Sequence, residues 1–162
     1  MLLLFRALLP VVFLLTIVLP HSLRADWSPA FGAEERVEAS GSDIDVPGYS
    51  VPSYADWNDD GAPDLIVGEG SGTATARIRV YLNNGSPSAP SFSTFSYAQA
   101  NGGTLTLPGR GCMGLFPRLV DWNGDDRLDL LIGSAGGNVY IFLNTASRTN
   151  PVFDAGSRVQ AG

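Results

Sequence analysis

Two stretches of this sequence are copies of one another. A Pro-x-Phe triplet occurs three times with a constant spacing of 61 residues, at Pro29, Pro90 and Pro151. Between the triplets, both copies contain an Asp-Trp-Asn segment, at 56–58 and at 121–123. Both also contain an apolar run bounded by Asp and Gly, at 64–68 and at 129–133. Repetition at a fixed period is typical of chains in which each copy forms one supersecondary unit that packs on the next.

The two copies align with a single length difference. Up to Gly68 the offset between them is 65 residues, and four extra residues at 73–76 of the first copy reduce it to 61. Val-Tyr-Leu-Asn at 80–83 therefore aligns with Ile-Phe-Leu-Asn at 141–144. This alignment assigns an equivalent residue in the second copy to the matched positions of the first.

Each copy has the pattern of short β-strands separated by turns. The predicted strands are a first strand at 53–57 and 118–122, an unbroken apolar strand at 65–67 and 130–132, an alternating strand at 77–82 and 139–143, and a fourth strand opened by each Pro-x-Phe triplet. No segment after residue 26 has convincing helical periodicity. Four antiparallel strands in about 60 residues correspond to one β-propeller blade. The sequence therefore predicts an all-β fold of two tandem four-stranded antiparallel β-propeller blades, a partial propeller after an N-terminal hydrophobic segment.

The predicted organisation follows from this alignment. We expect a signal peptide or anchor at 1–25, a lead-in with the outer strand of a preceding blade at 26–52, repeat 1 at 53–98, a connecting loop at 99–117 and repeat 2 at 118–162. Propellers close with about four to eight blades, so two blades leave sheet faces uncovered. We expect either that the chain is a piece of a longer product, the interpretation we favour, or that it pairs with blades of other chains.

The N-terminal segment has the features of a secretion signal. Residues 1–19 are apolar except for Arg6 and Thr16, and the apolar stretch after Arg6 is 13 residues long, which suits a signal peptide and is short for a membrane span. Ala25 ends a plausible cleavage site. We expect a secreted or cell-surface protein, with contact to a membrane only if this segment stays attached.

Composition excludes several kinds of chemistry. The chain has no Lys, a single His at position 21 beside the targeting segment, and one Cys. These counts exclude a disulfide within the chain and, once residues 1–25 are removed, a His-dependent nucleophile, a Schiff base or a His-ligated zinc site. The net charge of −6 disfavours nucleic acid as a partner. Cys112 is expected as a small buried apolar side chain. Carboxylate chemistry and hard cations remain.

Two acidic loops carry the strongest chemical signal. In loop 1 (residues 56–64) and loop 2 (residues 121–129), carboxylate or amide side chains occupy positions 1, 3, 5 and 9, which are Asp56, Asn58, Asp60 and Asp64, and Asp121, Asn123, Asp125 and Asp129. The backbone carbonyl of position 7, Ala62 or Arg127, would lie beside them. Alternate side chains of a tight turn converge, and five or more oxygen donors suit Ca²⁺ better than Mg²⁺, while Zn²⁺ and copper prefer nitrogen and sulfur.

The electrostatic cost of these loops favours a bound ion. Each pair of like charges about 4 Å apart costs roughly 4 kcal/mol at an effective dielectric of 20. A divalent cation reverses that term, so we expect calcium to be coupled to folding. The alternative is a solvated acidic turn. A helix–loop–helix calcium hand is excluded because its position 12 requires Glu, where this chain has Val67 and Ile132, and the same fault weighs against a dockerin module.

The loops and the strands after them resemble the FG-GAP/VCBS repeats of integrin-α-like β-propellers and bacterial surface proteins. The resemblance rests on Asp-x-Asn-x-Asp-x-x-x-Asp followed by Asp-Leu-Ile-Val-Gly and Val-Tyr-Leu-Asn-Asn-Gly, and it covers nearly all of residues 29–161. It implies two structural Ca²⁺ sites with ligands at the five loop positions, namely Asp56, Asn58, Asp60, Ala62 and Asp64, and Asp121, Asn123, Asp125, Arg127 and Asp129. Asp126 departs from the family, which usually has Gly there.

The resemblance also implies a function. It predicts a calcium-binding propeller segment that mediates adhesion by binding an extracellular protein or a polysaccharide. The alternative is a propeller fragment of a secreted carbohydrate-active enzyme such as a polysaccharide lyase, although no catalytic group is evident. Trp57 and Trp122 could stack on sugars, but we expect them to pack against the neighbouring blade. Asp43 and Asp45 form a carboxylate pair without an evident catalytic partner.

Overall fold

The structure is a computed structural model that describes residues 31–70 and 75–160. The predicted signal peptide at 1–25, the start of the first Pro-x-Phe triplet and half of the four-residue insertion lie outside the described residues. The chain divides into two compact units, Met1–Glu34 and Glu35–Gly162. Residues 31–34 of the first unit form no strand, and all described strands belong to the second unit.

Every regular element among the described residues is a β-strand, which confirms the predicted all-β class. The strands are β1 Glu38–Ala39, β2 Ser42–Asp43, β3 Val51–Ala55, β4 Asp64–Gly70, β5 Thr75–Asn83, β6 Phe92–Tyr97, β7 Gln99–Ala100, β8 Gly103–Thr104, β9 Leu107–Pro108, β10 Phe116–Val120, β11 Asp129–Gly133, β12 Val139–Phe142 and β13 Ser157–Arg158. Within the described ranges, no helix is long and apolar enough to cross a bilayer.

Repeat 1 forms an antiparallel meander, because β3, β4, β5 and β6 pair in sequence order. Its central strands β4 and β5 are rich in β-branched and apolar residues, which favours their burial in the middle of the sheet. The sheet is extended by β1, which pairs in parallel with β6 through Ala39 and Phe92, by β2 beyond it, and by β9 against β5. The result is a curled sheet of seven strands.

Repeat 2 forms a four-stranded sheet in the order β10-β11-β12-β13 with the same register as repeat 1. Leu65 lies opposite Tyr81, and Leu130 lies opposite Phe142. The glycines that end the apolar runs are also equivalent: Gly68 pairs with Val51 and Ile78, and Gly133 pairs with Phe116 and Val139. The sequence alignment of the two copies is thus reproduced in their hydrogen-bonded registers.

Several predicted boundaries are wrong in detail. The first strands begin at Val51 and Phe116, two residues earlier than predicted, and stop before the acidic loops because the loop side chains bind the backbone there. The predicted connecting loop at 99–117 contains β7, β8 and β9. Phe31 opens no strand, and Phe153 forms only isolated bridges ahead of β13. The architecture is all-β with a curled sheet, and the two propeller blades remain a prediction.

The main core lies between the two repeats. Directly paired residues of neighbouring strands share one side of a sheet, so each repeat has two faces. We call the side with Ile66, Ile78 and Val80 the trailing face of repeat 1, and the side with Leu65, Val67 and Tyr81 its leading face. The equivalent sets in repeat 2 are Leu131, Val139 and Ile141 for the trailing face, and Leu130, Ile132 and Phe142 for the leading face.

The trailing face of repeat 1 and the leading face of repeat 2 form one buried cluster together with Leu115 and Phe153. A smaller cluster covers part of the leading face of repeat 1, where Val46 and Phe92 pack against Val67 and Tyr81. Packing of the two faces holds the two acidic loops in one compact unit, since each loop connects the first two strands of its repeat.

Candidate metal centres

The acidic loops lie in equivalent places, between β3 and β4 in repeat 1 and between β10 and β11 in repeat 2. The last predicted ligand of each loop is the first residue of the following strand, and both side chains, Asp64 and Asp129, are fully buried. Of the earlier ligand positions, Ala62 is buried and the others lie on the exposed or half-buried turn. Each loop therefore combines a carboxylate fixed in the core with carboxylates near solvent.

The buried carboxylates anchor both loops in the same way. Asp64 accepts hydrogen bonds from the backbone N–H of Trp57 at 2.8 Å and of Asn83 at 2.7 Å. Asp129 accepts from the backbone N–H of Trp122 at 3.0 Å and of Asn144 at 2.8 Å. A carboxylate so placed satisfies backbone donors of the loop and of the third strand at once.

The first and fifth positions also bind the loop backbone. Asp56 accepts from the N–H groups of Asp60 and Gly61 at 3.1 and 2.9 Å, and Asp60 accepts from Ala62 N–H and from the Asn58 amide, both at 2.8 Å. Loop 2 repeats these bonds.

In loop 2, Asp121 accepts from the N–H groups of Asp125 and Asp126, and Asp125 accepts from Arg127 N–H and from the Asn123 amide. The predicted ligand side chains are therefore gathered within each turn. Every carboxylate oxygen has about two acceptor sites. The oxygens of Asp56 and Asp60 accept one bond each and so have capacity for a cation, whereas Asp121 Oδ1 and Asp125 Oδ2 each accept two bonds.

Two left-handed residues close each turn. They are Asp59 and Gly61 in loop 1, with φ of 57° and 86°, and Gly124 and Asp126 in loop 2, with φ of 76° and 62°. Asp126 thus adopts the conformation that its glycine equivalent adopts in loop 1. Aspartate tolerates this region better than most residues, so Asp126 can replace a glycine here and leave the turn intact.

The two loops differ in charge. Burial raises the pKa of the Asp64 carboxyl above 3.8, and the charges of Asp60 and Asp56 act in the same direction, although hydrogen bonds from Asn83 and Trp57 oppose it. In loop 2 an internal cation is present, because the Arg127 guanidinium bonds Asp125 and the backbone carbonyl of Asn144. Loop 1 has Ala62 at the equivalent position.

The pKa of Asp125 is lowered by its hydrogen bonds and, to a smaller extent, by this cation. Desolvation raises it, but hydrogen bonds from the Asn123 side chain and the Arg127 backbone, together with the charge of Arg127, bring it below its ordinary value. Loop 2 thus contains an arginine that partly neutralises its own carboxylates. Loop 1 contains no such residue and is more negative.

One buried oxygen in loop 1 fits a ligand role. Asn58 Oδ1 is buried and has no hydrogen-bond partner among the described residues, a costly condition for a polar atom. It belongs to a predicted ligand position and stands among hard oxygen donors of the type that Ca²⁺ takes. In the described ranges, no three His, Cys, Asp or Glu side chains already have a metal-holding arrangement. The donor chemistry fits Ca²⁺, and the calcium sites remain a prediction.

A cavity of about 260 Å³ lies between the two loops. Carboxylates of both loops line it, namely Asp56, Asp59, Asp121 and Asp126. Arg148 of repeat 2 also lines the cavity and bonds Asp59 at 2.7 Å. The hydrogen bond with Asp59, followed by the charges of Asp59, Asp126 and Asp56, raises the pKa of Arg148, so this arginine is the cation that joins repeat 2 to loop 1.

The loop tryptophans have different surroundings. Trp57 packs edge-on against Phe153 of repeat 2 with ring centroids 5.5 Å apart, which agrees with the expectation that it packs on the neighbouring repeat. Its equivalent Trp122 is 51% exposed. Packing therefore accounts for Trp57 and not for Trp122.

Sequence reasoning missed two asparagines that shape the loops. Asn83 donates from its side chain to the carbonyl of Pro63 and accepts from the N–H groups of Gly85 and Ser91. Asn144 accepts from the N–H groups of Ala146 and Val152. The only sequence signal was their recurrence at the same place in both copies.

A buried ion cluster on the leading face of repeat 1 was also missed. Glu69 is fully buried and bonds Arg77 at 2.8 Å and Arg79 on the neighbouring strand. Arg77 stacks over Tyr97 and Arg79 over Phe95. The alternation of arginine with apolar residues in β5 indicated a polar face, but Glu69 lies between two glycines after the apolar run, where no local pattern predicts a buried charge.

Two further sequence interpretations have clear outcomes. Cys112 is exposed, so its prediction as a buried side chain is wrong; it lies in a turn where its carbonyl contacts the backbone of Tyr49. Asp43 pairs with Arg36 at 2.6 Å, and with Asp45 it lines an open cavity.

Comparisons with known proteins gave no match. A scan against protein-family models, a search of curated proteins and a search of solved structures each found nothing significantly similar.

Proposed function

We propose that this chain is a calcium-stabilised segment of a β-propeller of the FG-GAP/VCBS type, secreted or displayed at the cell surface, which binds an extracellular protein or a polysaccharide. Calcium would be structural, held by the five ligand positions of each loop. The observation that carries the proposal is the identical anchoring of Asp64 and Asp129, each by a loop N–H and an N–H of the third strand.

The repetition of this arrangement supports a ligand role over a solvated acidic turn. The two loops share register, left-handed positions and carboxylate anchors, although their exposed residues differ. In a solvated acidic turn, the carboxylates at positions 1, 5 and 9 would not need to converge on the inside of the turn in both copies. A bound divalent ion supplies the positive charge that offsets these carboxylates.

The role of the loops in the fold supports structural calcium. Each loop joins the first two strands of a repeat, and its last ligand also bonds the third strand at Asn83 or Asn144. An ion held there would tie three strands together next to the interface between the repeats. A rigid turn-rich scaffold suits recognition by exposed loops.

Thermal unfolding of the full chain tests the structural part of the proposal. We expect the melting temperature to rise with Ca²⁺, to rise less with Mg²⁺, and to fall when a chelator is added. Asp60→Ala and Asp125→Ala should each remove part of the calcium-dependent rise, because each removes a ligand from a different loop. Asp45→Ala, which removes an exposed carboxylate elsewhere, is the matched control. Equal melting temperatures with calcium and with chelator would refute structural calcium.

The binding part requires a separate measurement. Immobilised full chain, probed with extracellular matrix proteins and with a panel of polysaccharides, should retain at least one of them in calcium and release it in chelator. Retention without cleavage supports a binding segment, whereas release of oligosaccharide products would assign the chain to an enzyme.

A further inference from the structure

Each repeat face that is buried inside this chain has an equivalent that is left open at one end of it. The trailing face of repeat 1 is closed by the leading face of repeat 2. The trailing face of repeat 2 and the leading face of repeat 1 are their equivalents by sequence and by register.

The trailing face of repeat 2 is an apolar surface that is partly open. Ile78 of repeat 1 is fully buried, but its equivalent Val139 is 41% exposed. Ile66 is fully buried, whereas its equivalent Leu131 is half-buried. Phe116, next to Gly133 on the same face, is 40% exposed. The third residue of this face, Ile141, is buried like its equivalent Val80. The open part of the face is therefore the part formed by Val139, Leu131 and Phe116.

A pair of glycines shows what this face accommodates. A Cβ on Gly68 would overlap the carbonyl oxygen of Leu115, because the segment that leads into repeat 2 crosses directly over this glycine. Gly133 is its equivalent, and the nearest atom to a Cβ there is the Phe116 Cβ at 3.4 Å. Repeat 2 therefore carries the same gap for a crossing backbone, and no described segment of the chain fills it.

The two loop tryptophans differ in the same way, with the first covered and the second uncovered. Trp57 packs against Phe153 of the next repeat, and Trp122 is half exposed where the next repeat would be. Strand register, a glycine gap and an aromatic ring independently indicate that the trailing face of repeat 2 is built to receive another repeat.

The complementary surface lies at the other end of the same chain. In repeat 2 the leading-face residues Pro117 and Leu130 are buried, but their equivalents Pro52 and Leu65 are exposed and half-buried. Tyr54, equivalent to the half-buried Leu119, is 52% exposed. An open cavity of about 550 Å³ exposes this part of the leading face, while Val46 covers the part beyond it.

Charged side chains lie at both open faces. Arg118 is exposed and lies on the trailing face of repeat 2, opposite Leu131. The cavity on the leading face of repeat 1 is lined by Asp43 and Asp45, against one arginine, Arg36. The leading face also holds Glu69 with Arg77 and Arg79, one positive charge in excess. The charges of this face therefore balance, and the fit of the two apolar surfaces, not net charge, orients the contact.

We propose that two copies of this chain associate head to tail, with the trailing face of repeat 2 in one molecule docking on the leading face of repeat 1 in the next. The contact repeats the interface that already exists within the chain, and Ser50, the equivalent of Leu115, takes its place over Gly133 of the neighbour. Such a contact joins two different surfaces, so it closes into a ring or continues as a filament. The proposal does not depend on calcium.

Sedimentation velocity of the full chain over a wide concentration range tests this contact. The wild-type chain should associate in a concentration-dependent way. Val139→Asp on the trailing face and Tyr54→Asp on the leading face should each weaken association by more than about tenfold, as expected for a charge placed in a buried apolar contact. Both residues are exposed in the single chain, so both variants should fold.

Two further variants make the result specific. Leu82→Asp is the matched control. Leu82 is 39% exposed and lies two residues after Val80 on the trailing face of repeat 1, which repeat 2 already covers, so this change should leave association unchanged. Gly133→Ala adds one methyl group without a clash in the single chain and should weaken association by filling the gap. Association of the Val139→Asp or Gly133→Ala chain at the wild-type level would overturn the proposal.

Mixing the two disrupted variants identifies the geometry. The Val139→Asp chain keeps its leading face and the Tyr54→Asp chain keeps its trailing face, so an equimolar mixture should form a heterodimer that does not grow. A monomeric wild-type chain at all concentrations, or continued self-association of the Tyr54→Asp chain through two trailing faces, would overturn the proposal. So would a mixture that stays monomeric.

Discussion

The carboxylate of Asp64 accepts a hydrogen bond of 2.7 Å from the backbone N–H of Asn83, which ties the end of the acidic loop to the end of the third strand of its repeat. Asp129 and Asn144 make the same bond at 2.8 Å in repeat 2. A predicted metal ligand thus also holds the strands, so the effects of mutation at this position separate into a structural part and a part that depends on calcium.

Asp129→Ala should destabilise the chain even when calcium is absent. It removes the acceptor of two backbone donors, Trp122 N–H and Asn144 N–H, in a fully buried position, and we expect a loss of about 2–4 kcal/mol in the free energy of unfolding. Urea denaturation in chelator measures it. Asp45→Ala, at an exposed site, should change stability by less than about 0.5 kcal/mol. Equal effects of the two substitutions would contradict the anchoring role.

Gly68→Ala and Gly133→Ala should differ sharply although the glycines are equivalent. The methyl group at Gly68 collides with the Leu115 backbone, which cannot move without disturbing the core, so we expect a loss of about 3 kcal/mol. At Gly133 the space is open, and stability should stay level or rise by about 0.5 kcal/mol. Chemical denaturation of both variants at a concentration too low for association checks this, and equal losses would contradict the described crossing.

Arg127→Ala should tighten calcium binding by loop 2. The guanidinium occupies Asp125 and so competes with a cation for the same carboxylate. Because removal of one neighbouring positive charge favours a divalent ion, we expect affinity to rise about threefold to tenfold. Calorimetric titration in an Asp60→Ala background isolates loop 2. Arg158→Ala removes the same charge from β13 and should have little effect; a similar gain from both variants would indicate a general charge effect.

Calcium affinity should fall with acid, and it should fall first at loop 1. Ligand carboxylates must be deprotonated to bind a metal, and burial raises the pKa of Asp64 above 3.8 in the metal-free chain. Protons therefore compete at Asp64 at a higher pH than at Asp125, whose pKa is lowered. Titrations at decreasing pH on Asp125→Ala, which retains loop 1, and Asp60→Ala, which retains loop 2, compare the two.

The same shift has a consequence for stability. A folded-state pKa that is raised favours the protonated folded chain, so without calcium the contribution of Asp64 to stability should increase as pH falls through its folded pKa and level off below 3.8. With calcium bound this sign should reverse, because protonation then displaces the ion. Unfolding curves of the wild-type chain and Asp64→Asn in chelator and in calcium report the difference.

The local pattern was sufficient to predict the strand class and the equivalence of the repeats. Alternation in β5 and the apolar runs of β4 and β11 depend on residue type alone, and the 65- and 61-residue offsets reappear in the paired registers of both sheets. The strand boundaries were less predictable, because β3 and β10 end where loop carboxylates bind the backbone, a tertiary effect with no signal in strand propensity.

The candidate ligand positions of the loops could be predicted because their spacing is regular, whereas the groups that support the loops could not. Asn83 and Asn144 lie some 19 and 15 residues from their loop anchors in sequence, and Glu69 meets Arg77 and Arg79 only after β4 and β5 pair. Contacts of this kind depend on strand pairing, which a single sequence does not specify. The ion pair of Arg127 with Asp125 within loop 2 also could not be predicted from the sequence, because it depends on where the Arg127 side chain lies.

Equilibrium dialysis of the folded full chain against labelled Ca²⁺ tests the central claim most directly. We expect an uptake of two ions per chain, reduced to one in Asp60→Ala or Asp125→Ala and abolished when both substitutions are combined, while Asp45→Ala still takes up two. A folded wild-type chain that takes up no Ca²⁺, or that takes up the same amount after both loop substitutions, would contradict the assignment of the two loops as calcium sites.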